Sequence, residues 1–187
     1  ILVWVLIAFF PNAAGAQYGA VNGEWRSYGA DLGSTKYSPL EQIDATNFDD
    51  LRVAWRWASP DGSLDLDTLR EQDRRLSIRM FQATPLMVGG VLYTSTALHQ
   101  VAAVDAATGE TIWVHDPEMY RTGRPTHFYN SRGVAYWTDG TDARIFFGTN
   151  EAYLIALDAA TGELVRDFGD NGRVDLMTGV PRAIRGG

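Results

Sequence analysis

The chain has 187 residues, of which 45% are hydrophobic and 12% aromatic, and its formal net charge at pH 7 is −7. This acidic balance argues against nucleic acid and anionic membrane surfaces as partners, since both are themselves negatively charged. The absence of cysteine excludes disulfides, thiolate metal sites and cysteine nucleophiles within these residues. The 19 glycines, together with few long helical periodicities, favour many short strands joined by turns.

The first residues have the pattern of an export signal. Residues 1–10 are all apolar, a run shorter than the roughly 20 residues that a membrane-spanning helix needs. Pro11 follows, and residues 14–16 read Ala-Gly-Ala, a small-x-small cleavage pattern. We therefore predict a signal peptide at residues 1–16, cleaved before Gln17, and export to the periplasm; the alternative is a buried strand. Because the basic leader and the initiator Met are absent, we expect the chain to be a piece of a longer protein.

An internal repeat organises the rest of the chain. Residues 103–110 read Ala-Val-Asp-Ala-Ala-Thr-Gly-Glu, and residues 156–163 repeat them with one change, Leu for Val. Repeats at this spacing indicate an array of similar units, such as a propeller or a solenoid. Asp accepts hydrogen bonds from the backbone that follows it and Gly supplies a positive φ, so each copy predicts a tight turn. Asp105 and Asp158 are therefore interpreted as structural rather than catalytic.

Trp113 follows the first copy of the turn and can bury a large apolar area between neighbouring sheets. The equivalent position after the second copy is Arg166. We therefore predict that the second unit docks onto its neighbour differently, or that its neighbour is atypical.

The strand pattern between residues 84 and 174 predicts two four-strand units in series. Gly89-Gly90 is a strong hairpin signal in the first unit. Predicted strands cover residues 84–88, 91–95, 99–104, 110–114, 134–137, 143–149 and 153–157, and a glycine-rich turn at 168–174 precedes a further segment. Such units in series are typical of a β-propeller.

Upstream of these units, residues 51–57 alternate apolar and polar side chains and predict a strand. This leading strand has no sequential partner, so we expect it to complete a sheet whose other strands lie beyond residue 187. Residues 23–40 predict an extended lead-in, and the charge-rich residues 59–79 predict a surface loop or a short helix.

The repeated turn with its tryptophan resembles the docking motif of the pyrroloquinoline-quinone-dependent dehydrogenases. Further segments are similar to that family in the same order, at residues 25–29, 37–40, 47–55, 82–86 and 131–137. His99-Gln100, residues 113–117 and Phe168-Gly169 resemble the glucose and polyol branch. The alcohol branch carries an adjacent cysteine pair shortly before the arginine of its Arg-Gly strand, where this chain has Phe128-Tyr129.

The resemblance implies an all-β, eight-bladed propeller, of which residues 17–187 hold about the first two blades and the leading strand. It also implies pyrroloquinoline quinone across the central channel, a Ca²⁺ ion beside it, and an Asp base. The calcium ligands and that Asp are expected beyond residue 187, so no catalytic or metal-binding residue is assigned here and these residues alone are expected to be inactive.

Two residues are candidates for binding the quinone. Arg132 stands just before a predicted strand, where the family places its quinone-binding arginine, and a guanidinium matches a carboxylate bidentately. Gln82 precedes Thr84-Pro85, where family members with Glu carry a charge; Gln implies neutral hydrogen bonding instead. Weaker candidates are His99 and His127; His115 is expected in a loop, and Gly133 permits close backbone approach.

The leading functional hypothesis is an exported oxidoreductase acting on the CH–OH group of a sugar, polyol or other alcohol. The resemblance implies a cytochrome or ubiquinone as electron acceptor, with peripheral association with the inner membrane as one option. The alternative is a non-catalytic propeller of the outer-membrane assembly type, which binds partner proteins through its loops. Fold alone does not decide between them.

Overall fold

A computed structural model describes residues 20–121 and 131–180. The predicted signal peptide, His127 and Phe128-Tyr129 lie outside the described residues. Within those ranges the strands are β1 (Leu86–Val88), β2 (Val91–Ser95), β3 (Val101–Asp105), β4 (Thr111–His115), β5 (Ala135–Thr138), β6 (Ala143–Gly148), β7 (Tyr153–Asp158) and β8 (Arg173–Asp175). One α-helix, α1 (Leu66–Gln72), and 3₁₀ turns at Phe48–Asp50, Pro60–Ser63 and Met119–Arg121 accompany them, and in these ranges no helix has the length and apolarity to cross a bilayer.

The strands form two four-stranded antiparallel sheets, in the orders β1-β2-β3-β4 and β5-β6-β7-β8. Gly89 and Gly90, with φ of 58° and 80°, turn the chain between β1 and β2, which pair from Leu86 with Tyr93 to Val88 with Val91. Both central residues of this turn need positive φ, which explains the Gly-Gly signal. The two predicted propeller blades are confirmed, with most strand ends within two residues of their predicted positions.

The second sheet closes differently from the first. In the first sheet β4 follows the repeated turn directly, whereas after the second turn Leu164 forms only an isolated bridge with Leu157. The chain then loops, and β8 supplies the fourth strand by pairing with β7. Arg166, which stands where the first sheet has Trp113, is exposed and donates to the Asn171 amide oxygen at 3.4 Å. A charged side chain cannot occupy an apolar interface cheaply, so this segment does not reproduce the first blade.

The leading strand predicted at residues 51–57 stays a prediction, because its expected partner strands lie beyond residue 187. The segment is extended, but no strand of the described residues pairs with it, and a strand needs a hydrogen-bonded neighbour. Its tryptophans instead contact the first sheet. The Trp55 indole donates to the Ala106 carbonyl at 3.1 Å, and the Trp57 indole donates to the Thr111 hydroxyl at 2.9 Å.

The same docking contact recurs between the two sheets. The Trp113 indole donates to the Ala159 carbonyl at 3.0 Å, and its ring lies on Gly162. A Cβ atom on Gly162 would lie 2.5 Å from that ring, and one on Gly109 would lie 2.6 Å from the Trp55 ring. Each glycine also has a positive φ, 76° at Gly109 and 74° at Gly162. The repeated glycine therefore serves the turn and the docked ring at once.

Both repeated aspartates hold their own turns, as predicted. Asp105 Oδ1 accepts from the Ala107 N–H at 2.9 Å and from the Thr108 N–H and hydroxyl at 2.8 and 3.0 Å. These bonds lower the pKa of Asp105 below its usual value. Asp158 makes the same three contacts at 2.9 to 3.1 Å. The carboxylates stabilise turns and do not face a reaction site.

A continuous apolar core joins the two sheets. Trp113, only 9% exposed, contacts Tyr93 with 6.1 Å between ring centroids, and Tyr93 in turn lies 6.3 Å from the Tyr136 ring. The buried members are Leu86, Val88, Tyr93, Val101, Ala103, Trp113, Ile145, Phe147, Ile155, Leu157 and Ala159. Because the members come from both sheets, burial of this cluster fixes the angle between the blades.

The N-terminal lead-in lies along the free edge of β1. Trp25 and Met87 exchange two backbone hydrogen bonds, at 2.8 and 3.0 Å. The Glu24 carboxylate accepts from the Gly89 N–H at 2.9 Å, and Arg26 lies over the Tyr136 ring of the second sheet. The lead-in is less extended than predicted, since turns occupy much of residues 27–34, yet it covers an otherwise unpaired strand edge.

His115 is the last residue of β4 and not part of a loop, which corrects the sequence expectation. Its Nδ1 is hydrogen-bonded with the Gly162 carbonyl at 3.1 Å, and its ring meets Phe147 edge to face. Burial lowers the pKa of His115, with Arg173 acting in the same direction; the Gly162 carbonyl and Asp116 oppose the shift. His115 therefore belongs to the docking interface between the blades.

The position of the Trp113 ring on Gly162 leads to a prediction about substitution of that glycine. We expect Gly162→Ala to destabilise the protein by roughly 2–4 kcal/mol, because a left-handed alanine is strained and its Cβ would overlap Trp113. Gly90→Ala is the control, since Gly90 has a similar φ of 80° but no atom within 4 Å of the added Cβ. It should cost only about 1–2 kcal/mol. Urea unfolding measures both, and equal losses would contradict the docking account.

The neutral state of His115 makes a second prediction. A histidine whose folded pKa is lowered stabilises the fold above its unfolded pKa and loses that contribution as the pH falls through the folded value. We therefore expect the urea concentration at the unfolding midpoint of the wild type to decrease as the pH is lowered below about 6.5. The decrease should be less steep in His115→Gln. Urea unfolding across pH 8 to pH 5 measures this, and identical slopes for both proteins would refute it.

Candidate cofactor-binding site

The two ends of the sheets differ in chemistry. The repeated aspartate turns lie at one end, while the opposite end, where β1, β3, β5 and β7 begin, contains buried polar side chains; we call it the polar end. The buried polar side chains of the polar end are Ser95, Thr96, His99, Gln100 and Ser131. Buried polar groups need hydrogen-bond partners, so this end is held by specific contacts and not by apolar packing alone.

The structure places Arg132 and Gln82 on neighbouring segments of the polar end, just before β5 and β1. Both side chains are exposed, and in residues 20–121 and 131–180 Arg132 forms no ion pair. The Arg132 segment is held against the Gln82 segment at Thr84 and against the end of β2 at Ser95. A Cβ atom on Gly133 would lie 3.3 Å from the Thr84 carbonyl oxygen, and the Ser131 hydroxyl donates to the Ser95 hydroxyl at 2.6 Å.

This arrangement fits a ligand that carries carboxylates. A guanidinium presents its donors in a planar fork that matches a carboxylate, and the amide of Gln82 can donate and accept. The Arg132 and Gln82 segments, held side by side, can contact one molecule at the end of the sheets where β1 and β5 begin. The described part of the chain contains no group of three or more His, Asp or Glu side chains that could hold a metal ion.

His99 also lies at the polar end, in the turn between β2 and β3 rather than in the predicted strand. It is 3% exposed and has a φ of 65°. Burial lowers the pKa of His99, while the nearby Gly148 backbone and Asn150 side chain act in the opposite direction. Neither ring nitrogen makes a hydrogen bond of good geometry in the described residues. A neutral, buried imidazole is therefore expected.

The sequence interpretation missed a buried carboxylate. Asp61 is 2% exposed, although it lies in the charge-rich stretch that predicts a surface loop. It accepts from the Thr96 hydroxyl at 2.7 Å, the Leu98 N–H at 3.1 Å and the Gln100 amide at 3.0 Å. Burial raises the pKa of Asp61, and these hydrogen bonds partly offset the shift. The Ser59-Pro60 pair could indicate a helical turn here, but nothing local indicates that its Asp points inward.

Comparison with known proteins identifies the family of the chain. The family described as glucose/ethanol/alcohol dehydrogenase, β-propeller domain, pyrroloquinoline quinone (PQQ) type, matches residues 25–187. The quinohemoprotein alcohol dehydrogenase ADH IIB of Pseudomonas putida is 36% identical over 93% of this chain and 24% of its own length. The quinoprotein glucose dehydrogenase A of Acinetobacter calcoaceticus is 31% identical over 95% of this chain and 23% of its own.

Solved structures show the same relationship. The crystal structure of the quinohemoprotein alcohol dehydrogenase from Comamonas testosteroni superposes with a TM-score of 0.62 and 32% identity, over 83% of this chain and 20% of that one. The chain thus spans about a quarter of the length of the curated relatives it matches. Alcohol and glucose enzymes both occur among them. The chain belongs to the family of pyrroloquinoline-quinone-dependent glucose, ethanol and alcohol dehydrogenases, and residues 25–187 are part of its β-propeller domain.

Proposed function

We propose that the full-length protein carrying this chain oxidises the CH–OH group of an alcohol, sugar or polyol, with pyrroloquinoline quinone bound at the polar end of the blades. One observation carries the proposal. Arg132 is exposed, has no ion-pair partner among the described residues, and lies next to the Gln82 segment at that end. The family match gives the cofactor class. When bound, pyrroloquinoline quinone would supply the two-electron oxidation of the alcohol.

Arg132 has the part of binding a carboxylate of the cofactor. A guanidinium–carboxylate pair is planar and bidentate, so it fixes orientation as well as supplying affinity. Ser131 holds the segment in place through its hydrogen bond to Ser95, and Gly133 lets the backbone lie close to Thr84. The arginine is therefore presented from a restrained backbone, which lowers the entropy lost on binding.

Gln82 has the part of a neutral hydrogen-bonding partner. Its amide can donate to a cofactor oxygen and accept from a donor, but it adds no charge. We propose that Gln82 orients the quinone and that Arg132 provides most of the electrostatic attraction.

The remaining chemistry is proposed to come from residues beyond 187. These would supply the Asp that removes the hydroxyl proton and the ligands of a Ca²⁺ ion that polarises the quinone. Relatives named alcohol dehydrogenase (quinone), from Gluconobacter oxydans, and 1-butanol dehydrogenase (cytochrome c), from Thauera butanivorans, support ubiquinone or a cytochrome as the acceptor. Within the family, Phe128-Tyr129 in place of a cysteine pair favours a sugar or polyol substrate.

The proposed location is the periplasm. The apolar residues 1–10 and the small-x-small pattern at residues 14–16 support export. Passing electrons to ubiquinone would also need peripheral association with the inner membrane. Fusion of residues 1–20 to a periplasm-dependent reporter would test export.

Removal of the Arg132 guanidinium should weaken the binding of the cofactor. In the full-length protein with Ca²⁺, we expect Arg132→Ala to raise the Kd for pyrroloquinoline quinone about 10- to 100-fold, since a charge-assisted hydrogen bond is worth roughly 1.5–3 kcal/mol. Arg132→Lys should lose less, because it keeps the charge but not the fork. Fluorescence titration of the apo protein measures the Kd.

Arg52→Ala is the control for that titration. Arg52 is exposed and donates to the Asp49 and Leu51 carbonyls of its own segment. The Kd of the Arg52→Ala protein for pyrroloquinoline quinone should equal that of the wild type. A wild type that binds no quinone, or an Arg132→Ala protein that binds it unchanged, would refute the proposed function.

A further inference from the structure

Residues 58–81 form a segment that lies between the docked Trp57 and the cofactor candidate Gln82. Its helix α1 rests on an apolar cluster away from the main core. The buried members of that cluster are Leu69, Leu76, Leu98 and Tyr120. Leu98 belongs to the turn between β2 and β3, so the segment packs on the same turn that carries His99 and Gln100. Its position at the polar end is therefore set by contacts with this turn.

Asp61 adds a polar contact to the same turn. Its three donors, the Thr96 hydroxyl, the Leu98 N–H and the Gln100 amide, lie 35 to 39 residues further along the chain. Thr96 and Gln100 are also bonded to each other, because the Thr96 hydroxyl accepts from the Gln100 N–H at 3.1 Å. We call this set of contacts the Asp61 clasp. It joins the start of residues 58–81 to the turn with fixed geometry.

The clasp needs a carboxylate and not merely a polar group. An ionised carboxylate is an acceptor only, and its two oxygens can accept from all three donors. An asparagine would turn its NH₂ group toward groups that now donate, and a buried donor that faces a donor is costly. Taking the charge out of water is itself unfavourable, so the carboxylate is stable here only while all its partners stay in place.

The clasp lies close to the cofactor candidates. A cavity of about 490 Å³ is bounded by Asp61, Ile78 and Phe81, together with Trp57, Ala58, Ser59 and Gly62. Phe81 directly precedes Gln82, so the two ends of residues 58–81 face each other across this space. Gln82 is therefore restricted from two sides: the close approach of Gly133 to Thr84 holds the chain after it, and the anchoring of residues 58–81 on the turn holds the chain before it.

We infer that Asp61 is a positioning residue for the cofactor site: it clasps residues 58–81 to the turn between β2 and β3 and so fixes where Gln82 meets the quinone. The inference rests on the proposed function. It assigns Asp61 no contact with substrate or cofactor. Its action on binding passes through Gln82, and this makes it separable from a general effect on folding.

The test is a double-mutant cycle in the full-length protein, with the Kd for pyrroloquinoline quinone measured by fluorescence titration. We expect Asp61→Asn and Gln82→Ala each to raise the Kd about tenfold, the size of one lost neutral hydrogen bond. The double variant should also bind the quinone about tenfold more weakly than the wild type, because the Gln82 contact is already lost once Asp61→Asn has displaced that residue. A hundredfold, additive loss, or an unchanged Kd in Asp61→Asn, would overturn the inference.

Two further variants keep the cycle decisive. Asp65→Asn is the matched control: Asp65 lies in the same segment and caps α1 by accepting from Thr68, a task that asparagine also performs. Its Kd should equal that of the wild type, and a rise equal to that of Asp61→Asn would overturn the inference. If Asp61→Asn does not fold, Thr96→Val breaks the same clasp from the opposite side and should show the same non-additivity with Gln82→Ala.

The outcomes also separate this inference from the function on which it rests. A wild type that binds no quinone, or binding that is indifferent to Arg132→Ala, refutes the proposed function and the inference together. Normal dependence on Arg132, combined with additive effects of Asp61 and Gln82, refutes the inference alone.

Discussion

The contact of a tryptophan ring with a turn glycine is the constraint on which the rest of the structure depends. Trp113 leaves one sheet and lies on Gly162 of the next, with its N–H bonded to the Ala159 carbonyl. Because the ring covers the glycine face, the distance and tilt between the sheets are fixed by one side chain. The Trp55 contact with Gly109 repeats this geometry upstream, where it holds residues 51–57 on the first sheet.

With the sheets docked in this way, their two ends have different roles. At the turn end, Asp105 and Asp158 satisfy their own backbones and offer nothing to a ligand. At the polar end, the Ser95–Ser131 hydrogen bond ties the blades together and leaves Arg132 exposed beside the Gln82 segment. The repeated turns and the proposed binding site therefore lie at opposite ends of the same strands, and a change in the docking angle would move the two candidate segments apart.

The features that sequence could predict are those encoded by neighbouring residues. Gly89-Gly90 marks a hairpin by itself, and the Asp-Ala-Ala-Thr-Gly turn carries its own hydrogen bonds, so both were recognisable. Residues 51–57 alternate as a strand does, but a strand also needs a partner, which alternation does not reveal. The inward orientation of Asp61 was unpredictable for the same reason, because its donors lie more than thirty residues away. Arg132 and Gln82 were predicted through family resemblance, and their candidate role remains a prediction.

The most direct measurement is a crystal structure of the full-length protein with pyrroloquinoline quinone bound. The account predicts Trp55 and Trp113 seated on Gly109 and Gly162. It also predicts the Arg132 guanidinium within about 3 Å of a cofactor carboxylate oxygen, with the Gln82 amide in contact with the same molecule. A quinone bound away from the polar end, or an Arg132 side chain directed to the outer rim while both tryptophans stay docked, would contradict it.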